Sequence, residues 1–419
     1  MALRAGLTRL GAGLLEPLLA ADAGYRGPRA RCGAGHRAEF AGYRDKTVDT
    51  VLGPVTLSRA WYHCGQCGHG FAPRDAELGV AGDTMSPGLA KMTDRAAAAV
   101  PFAKAAALVG ELAGIRLTGK RAGRRAEADG KAAAELIEAQ ATAITARQVT
   151  PLPPAGPAPD ILYIAIDGTG VPVVAAETEG RPGKGEDGTA RTREVKLCCV
   201  FTQTATDDEG RPVRDLHSSS YLATFAPAAQ FGTLMAGEAR RRGAAHIRQL
   251  VILGDGAAWI WNLATTHFPE ATQIVDLYHA REHIHDLAKS LEFMLGDNKN
   301  GWLDERLAEL DAGDIDAICA TARTLPLTGR KATDLDTALG YFEHNAHRMR
   351  YQHFRSLGMF VGSGAVEAGC KAVVGQRLKL SGMRWTVPGA AGILTLRCLE
   401  ASDRWEEIWT QASNQKPAA

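Results

Sequence analysis

The sequence has no long uninterrupted apolar stretch. None of its runs reaches the roughly 18 apolar residues that a transmembrane helix needs, so no membrane span is predicted. The first twenty residues are rich in leucine and alanine, but Arg4, Arg9 and Glu16 interrupt them. This pattern favours an amphipathic helix over a signal peptide. We therefore expect a cytoplasmic protein.

The chain also has little net charge, +1 over 419 residues, which neither requires nor excludes a polyanionic partner. Its positive residues are nevertheless clustered, at 116–125, 240–248 and 371–384. One such cluster is usually a solvated face. Three clusters around a helical region and the candidate site described below are typical of a protein that contacts nucleic-acid phosphates.

Cysteine is scarce, and the eight cysteines are irregularly spaced beyond the first seventy residues. In a cytoplasmic protein this favours metal ligands or buried thiols over disulfides. Cys64 and Cys67 have the spacing of a zinc knuckle, and Cys32 with His36 can complete a tetrahedral set. Because the first half is Cys-x3-His and not a second Cys-x-x-Cys, a ribbon-shaped module without metal is the alternative. His63 or His69 are substitute ligands, and the buried thiols are expected at Cys198, Cys199, Cys319, Cys370 and Cys398.

The N-terminal half divides into short regions. We predict an N-terminal helix over 1–30, a zinc-ribbon-like β module over 31–75 with a hairpin around Gly53-Pro54, and a helical region over 86–149. In that region a helix ending at Gly114, a short turn and a basic helix over 119–127 resemble a helix-turn-helix that binds DNA. A helical bundle with a cationic face is the alternative. The predicted DNA-binding residues of the basic helix are Lys120, Arg121, Arg124 and Arg125.

Two apolar runs end in aspartate and glycine. Residues 161–166 lead into Asp167 and Gly168, and residues 249–253 lead into Gly254 and Asp255, so each aspartate is predicted at the end of a buried strand. Two carboxylates about 4 Å apart repel by roughly 4 kcal/mol at an effective dielectric of about 20. Divalent cations offset that repulsion, because they prefer carboxylate oxygens. A simple turn made by Asp167 with Gly168 is the alternative.

The order of elements after the proline-rich linker at 150–159 predicts an α/β domain. Strands over 161–166, 171–176 and 193–203, a helix over 228–242 and the strand before Asp255 have the order of an RNase H-like fold. A helical insertion is expected over about 284–360, then a helix capped by Ser363 that carries Glu367. The tail over 376–409 is predicted to be helical. The whole domain is expected to span 160–419.

Several long motifs in fixed order resemble one known family. The segments IDGTGVPVV, REVKLCCVFTQT, GDGAAWIWN, VDLYHAREH, GSGAVEAGCK and QRLKLSGMRW are similar to bacterial insertion-sequence transposases of the ISKra family, which are distantly related to Mutator-like enzymes. The resemblance implies a catalytic acidic triad of Asp167, Asp255 and Glu367. It also implies two Mg²⁺ or Mn²⁺ ions about 4 Å apart, with Asp167 bridging both, for in-line displacement at phosphorus.

The same resemblance implies a role for His279, in the segment that starts at Asp276. His279 is expected to orient the scissile phosphate or to support Asp255, while a packed histidine and a zinc-hydrolase site formed with His283 are the alternatives. Trp259 and Trp261 are expected in the core more than against bases. The predicted DNA contacts after Glu367 are Lys371, Arg377, Lys379 and Arg384.

These expectations together describe a DNA transposase. It would cut at the inverted repeats of an insertion sequence and join the freed 3′-hydroxyls to target DNA, with double-stranded DNA as partner, a nucleoid-associated location and a homo-oligomeric state. A metal-dependent nuclease of the same fold that does not join strands is one alternative. A non-catalytic DNA-binding protein derived from a transposase is another.

Overall fold

A computed structural model describes residues 2–152, 159–183, 185, 188–362, 364–407 and 409. Their contacts divide the chain into two compact units, one containing the residues up to Ala133 and those from Asp403 onward, the other running from Ala134 to Ser402. The division therefore lies inside a helix and not at the predicted linker, of which 153–158 lie outside the described residues. No helix in the described part is long and apolar enough to cross a membrane.

The first unit combines a small antiparallel sheet with helices. Within its described residues, four strands pair in the order β1-β2-β3-β4, and α5 continues past the division into the second unit. The elements are α1 (Ala2–Ala20), β1 (Arg29–Arg31), β2 (Arg37–Thr50), β3 (Gly53–His63), β4 (Gly70–Phe71), α2 (Pro73–Glu77), α3 (Pro87–Ala99), α4 (Phe102–Ala113) and α5 (Gly119–Thr145).

The predicted hairpin is present, with Thr50 paired to Gly53 across its turn. Side chains alternate between buried and exposed along β3, as expected for a strand with one covered face. Its buried residues contribute to two separate small cores. Val55 and Leu57 pack with Val48 and Val80 near the turn, where α1 covers them, whereas Ala60 and Tyr62 pack with the cysteines at the other end.

Capping residues set the ends of the helices in the helical region. The Ser86 hydroxyl accepts the Leu89 N–H at the start of α3, and α4 ends at Gly114, whose φ of 75° is left-handed. The basic helix was predicted over 119–127 within a helical region that reaches 149, and α5 is one helix of 27 residues, from Gly119 to Thr145. Its alanine-rich second half explains the extension, because alanine has the highest helix propensity.

The second unit is a mixed sheet with many helices. The strands are β5 (Ile161–Pro172), β6 (Thr192–Gln203), β7 (Ala205–Thr206), β8 (Pro212–Val213), β9 (Ser220–Thr224), β10 (Gln249–Gly254) and β11 (Thr272–Val275). The helices are α6 (Ala228–Arg241), α7 (Ala258–His267), α8 (Leu277–Ser290), α9 (Glu292–Leu295), α10 (Lys299–Ala312), α11 (Ile315–Arg323), α12 (Arg330–Asn345), α13 (Tyr351–Ser356), α14 (Gly364–Gly369), α15 (Gln376–Leu378) and α16 (Val387–Ala401).

Five strands of the described part form the main sheet, in the order β11-β10-β5-β6-β9. The central strand β5 is antiparallel to β6 and parallel to β10, and β10 is parallel to β11. Residues 161–166 and 171–176 were predicted to form two strands. The prediction of two separate strands is wrong, because β5 runs without a break from Ile161 to Pro172 and all twelve of its residues pair with β6.

The predicted helical tail is also wrong in part. Helix α14 continues through a π-helical turn, Cys370–Gly375, and then through α15, but the helix ends at Leu378. The next segment is not helical, and its Trp385 bridges to Val173 beside β5 before α16 begins. The predicted N-cap Ser363 lies outside the described residues.

Candidate functional site

Four potential metal ligands meet at one end of the small sheet. The ligand atoms of Cys32, His36, Cys64 and Cys67 all lie within 4.8 Å of one another. The Sγ atoms of Cys32 and Cys67 are 3.8 Å apart, and so are Cys64 Sγ and His36 Nδ1. Ligands of a tetrahedral zinc ion, with Zn–S about 2.3 Å and Zn–N about 2.0 Å, lie about 3.5–3.8 Å apart. The spacing therefore fits a zinc ion.

Two similar turns present these ligands. The Cys32 N–H donates to the His36 carbonyl, and the Cys64 N–H donates to the His69 carbonyl, so each turn is closed between paired strands. Each turn contains a glycine with positive φ, 80° at Gly35 and 67° at Gly68. The N–H of Cys67 lowers the pKa of Cys64 to about 6, which favours the thiolate that binds metal. The cluster can thus bind a metal such as zinc.

In the second unit, Asp167 lies in the middle of β5 and not at its end. Its carboxylate is half-buried and accepts the N–H of Gly168 at 2.7 Å. A side chain at Gly168 would come within 2.9 Å of the Glu194 carboxylate on β6, so that flexible side chain would have to move. The strand continues because every residue after Asp167 still has a partner on β6.

Asp255 directly follows β10, as predicted. Leu253 pairs with Ala165, so two residues further along the parallel strands Asp255 stands level with Asp167. Neighbouring strands are about 4.8 Å apart, and the two aspartates are therefore close. The Asp255 carboxylate accepts the Ala257 N–H at 2.9 Å, and its backbone carbonyl accepts the hydroxyl of Tyr341 at 3.0 Å.

A third aspartate extends this row. Gly254 pairs with Val275, which sets Asp276 beside Asp255 at the end of the next parallel strand. Asp276 is buried and its carboxylate caps α8 by accepting the N–H groups of Tyr278 and His279. The sequence marks Asp276 only as the start of the segment that contains His279, because the position of Asp276 beside Asp255 depends on strand pairing.

Glu367, the third acid of the predicted triad, is carried by a helix. It lies on α14, which packs against β5 and β6. Its carboxylate is paired with the Lys371 ammonium at 2.7 Å, and its side chain is 60% exposed. Among the described residues only the Cys/His cluster brings three or more potential ligands within 4.8 Å of one another. The carboxylate oxygens of Asp167, Asp255 and Glu367 therefore do not all lie within 4.8 Å of one another.

Cys370 contacts Asp167 from the helix that carries Glu367. Its thiol donates to the Asp167 carboxylate at 3.2 Å, and it follows Glu367 by three residues on the same helical path. Burial, and then the negative charge of Asp167, raise its pKa far above the ordinary range, so the thiol keeps its proton and remains a donor. The expectation that Cys370 is only a buried apolar side chain is therefore wrong.

The histidines of α8 form no metal cluster with Asp255 in the described residues. His279 is partly exposed, and its Nδ1 is 3.4 Å from the Glu282 carboxylate. His283 stacks on Tyr341 with ring centroids 3.7 Å apart, and burial lowers its pKa. Tyr341 also contacts the backbone at Gly256, where an added side chain would meet the ring. The stacked rings of His283 and Tyr341 therefore lie beside Asp255.

Three of the predicted DNA contacts are engaged inside the protein. Arg121 binds Asp49 at 2.5 Å, and Arg125 binds Asp83 at 2.7 Å and Asp129 at 2.6 Å. Arg377 is fully buried under the ring of Trp385, 4.9 Å from its centroid. The prediction for Arg377 is wrong, because its side chain is not presented to solvent. The side chains of Arg121 and Arg125 remain 24% and 19% exposed, so their DNA contacts stay predictions. The predicted contacts that are exposed are Lys120, Arg124, Lys371, Lys379 and Arg384.

One of these exposed residues, Lys379, lies near Asp167. The Lys379 ammonium donates to the Thr169 hydroxyl at 2.5 Å, two residues beyond Asp167 on β5.

The tryptophans after Asp255 differ from each other. Trp261 is buried beneath Arg348, as expected of a core residue, whereas Trp259 is half-buried against Phe231.

No family model matches this chain, and no curated protein matches its sequence significantly.

Proposed function

We propose that the second unit is an RNase H-like nucleotidyl-transfer domain and that the protein is a DNA transposase. The observation that carries this proposal is the level position of Asp167 and Asp255 on neighbouring parallel strands, with Glu367 on a helix packed against one of them. The resemblance of the sequence motifs to insertion-sequence transposases supplies the substrate, double-stranded DNA.

The strand order supports the fold. Strands β5, β6 and β9 pair antiparallel in the main sheet, and then α6 leads to β10, which returns beside β5 and parallel to it. Three antiparallel strands, a helix and a parallel strand are the order expected of an RNase H-like domain, although the third strand is β9 (Ser220–Thr224) and not the strand predicted over 171–176. The helices from Leu277 to Ser356 separate the second aspartate from Glu367, as an insertion would.

The surroundings of the two aspartates support a cation site. Among the described residues, no Lys, Arg or His nitrogen lies within 4.0 Å of the Asp167 or Asp255 carboxylate. Two half-buried carboxylates at one level are costly without positive charge. Asp167, Asp255 and Glu367 would hold Mg²⁺ or Mn²⁺, which when bound lowers the pKa of an attacking water or hydroxyl and stabilises the leaving oxygen.

Two ions do not require all three acids to lie within 4.8 Å of one another. Carboxylates that bind different ions of a pair about 4 Å apart, through bonds of about 2.1 Å, can be about 8 Å from each other. Glu367 would first have to leave Lys371, and an ion pair this exposed contributes only about 0–1 kcal/mol. Lys371 is then free to contact a DNA phosphate, together with Lys379 near Asp167.

The side chains around the acids have separate tasks in this proposal. Cys370 orients the Asp167 carboxylate through its thiol, and Tyr341 fixes the backbone of Asp255. His279, partly exposed at the start of α8, is positioned to contact a phosphate. In the first unit, the exposed Lys120 and Arg124 lie one turn apart on α5 and are suited to phosphate contacts.

The proposal is tested with the purified full-length protein and DNA fragments taken from both sides of its coding region. Strand cleavage with Mn²⁺ is expected for the natural sequence, and Asp167→Asn, Asp255→Asn and Glu367→Gln are each expected to lower the rate by about 1,000-fold, or roughly 4 kcal/mol. The matched control is Glu270→Gln, at an exposed glutamate of the same unit, which should cleave normally.

Fragments with pre-cut 3′ ends separate the alternatives. Joining of these ends to a plasmid supports the transposase, whereas cleavage without joining points to a nuclease. Unchanged DNA processing in Glu367→Gln would remove Glu367 from the site. Binding without any cleavage in the natural sequence would favour a non-catalytic DNA-binding protein.

A further inference from the structure

Helix α1 has one face packed against its own unit. Ala12, Leu15 and Leu19 cover the core at the turn of the hairpin, and the Glu16 carboxylate accepts the N–H of Thr56 at 2.8 Å. The helix is thus folded and oriented by contacts within the chain. It needs no other partner in order to be a helix, although an isolated helix of its length would be marginal.

The opposite face of α1 is apolar and exposed. Five leucines there are between 61% and 80% exposed, and together we name them the leucine face: Leu3, Leu7, Leu10, Leu14 and Leu18. A single exposed leucine is ordinary on a protein surface. Five of them aligned on one helix make a contiguous apolar patch, which marks an interaction site.

The spacing of the leucine face fits another helix as partner. The steps between the first four leucines are four, three and four residues, the alternation of a and d positions in paired helices. Leu18 follows one residue late, because Pro17 occupies the next such position. A partner that presents a helix with the same spacing is therefore complementary to this face.

Two glycines beside the leucine face point to the same kind of partner. Gly6 and Gly13 lie seven residues apart on one edge of the face, and a side chain built at either would touch nothing within 4 Å. Glycine inside a helix costs about 0.5–1 kcal/mol relative to alanine. No contact within the described chain requires this cost, but close approach of a second helix does. Gly11 differs, because Leu52 lies 3.2 Å from its added side chain.

The area and charge of the face suit a second copy of this chain. The five leucines present on the order of 500 Å² of apolar surface, so two copies would bury about 1,000 Å², the lower limit for a specific interface. The five leucines of the face are uncharged, so the same face of a second copy can pack against them in a two-fold dimer. A lipid surface fits less well, since α1 offers only Arg4 and Arg9 as basic residues, against Glu16.

We propose that the leucine face pairs with the leucine face of a second copy, so that the protein dimerises through its α1 helices. This dimer does not depend on the carboxylate chemistry of the other unit. It would hold two copies together before any DNA is bound, as an enzyme acting on two DNA ends requires.

The test is sedimentation velocity of the full-length protein across micromolar concentrations. The natural sequence is expected to dimerise, and the double variant Leu7→Gln/Leu14→Gln is expected to raise the dimer dissociation constant by at least about 100-fold. The matched control, Leu112→Gln/Leu216→Gln, removes two leucines that are 71% and 88% exposed elsewhere and should dimerise normally.

A second variant separates dimerisation from folding. Gly13→Gln should raise the melting temperature of the monomer, because glutamine favours helix, and should still weaken the dimer by obstructing the partner helix. A natural sequence that stays monomeric at every concentration overturns the proposal. A dimer that is equally strong in all variants overturns it too, and so does a monomer that floats with phosphatidylcholine and phosphatidylglycerol vesicles.

Discussion

Replacing Cys64 by serine should remove the metal from the Cys/His cluster and loosen one end of the small sheet. Cys64 is fully buried and its sulfur is 3.8 Å from the His36 ring nitrogen. A serine hydroxyl is nearly isosteric but does not ionise at neutral pH, so it cannot replace the thiolate as a zinc ligand. The change therefore removes a ligand while leaving the volume of the core almost intact.

The expected size of the effect follows from a comparison of the metal with the small core at this end of the sheet. The buried core there contains Tyr62 and four small residues, with the partly buried Phe40 and Phe71 packed against it: Cys32, Ala38, Ala60 and Cys64. Burial of a large side chain such as Tyr62 contributes about 1.5–3 kcal/mol, whereas a structural zinc ion contributes about 10–16 kcal/mol to a small module at neutral pH. Without the metal, the turns at 32–36 and 64–69 are expected to open.

The measurement combines metal analysis with hydrogen exchange followed by mass spectrometry. The natural sequence should contain one zinc per chain, and Cys64→Ser should lose it and exchange rapidly at both turns. The hairpin near Val48 and Val55 should stay protected, because α1 covers it. Cys319→Ser, at a buried cysteine outside the cluster, is the control and should retain zinc. A zinc-free natural protein with both turns protected would refute the reasoning.

Two further predictions concern buried polar groups. Burial and then the neighbouring Asp129 raise the pKa of Asp94 well above its ordinary 3.8, so the contribution of Asp94 to stability is lost as the pH rises above 3.8. Asp94→Asn should therefore raise the melting temperature by a few degrees at about pH 8 and by less at about pH 5. An equal gain at both pH values would contradict this. Cys370→Ala should slow Mn²⁺-dependent DNA cleavage about five-fold, or roughly 1 kcal/mol, because Asp167 loses a hydrogen-bond donor. Cys370→Ser should restore most of that rate, and equal rates for the two variants would show that the thiol proton does not orient Asp167.

Local patterns predicted a good part of the first unit. The alternation around Gly53 indicated the hairpin, and the spacing of Cys64 and Cys67 with Cys32 and His36 indicated the cluster that the structure brings together. Both rest on short-range physics, since strand periodicity and a knuckle turn depend on residues close in the chain. The same holds for Asp255, because β10 ends where its apolar run ends.

Side-chain availability was less predictable. Arg121 and Arg125 look like free cations in the sequence, but their partners Asp49 and Asp83 come from distant segments. Arg377 looked equally exposed in a basic stretch, yet the chain folds Trp385 over it. Sequence charge alone does not show whether a cation faces solvent or an internal carboxylate.

The sequence by itself determined the apolar runs, the aspartates that follow them and the ligand chemistry of the cysteines. Only the tertiary structure decided that β5 continues past Asp167, that Asp167, Asp255 and Asp276 stand level on three parallel strands, and that the leucine face is left uncovered. The reason is that strand register and the covering of a helix face depend on hydrogen bonds and packing between segments far apart in the chain, which no local pattern encodes.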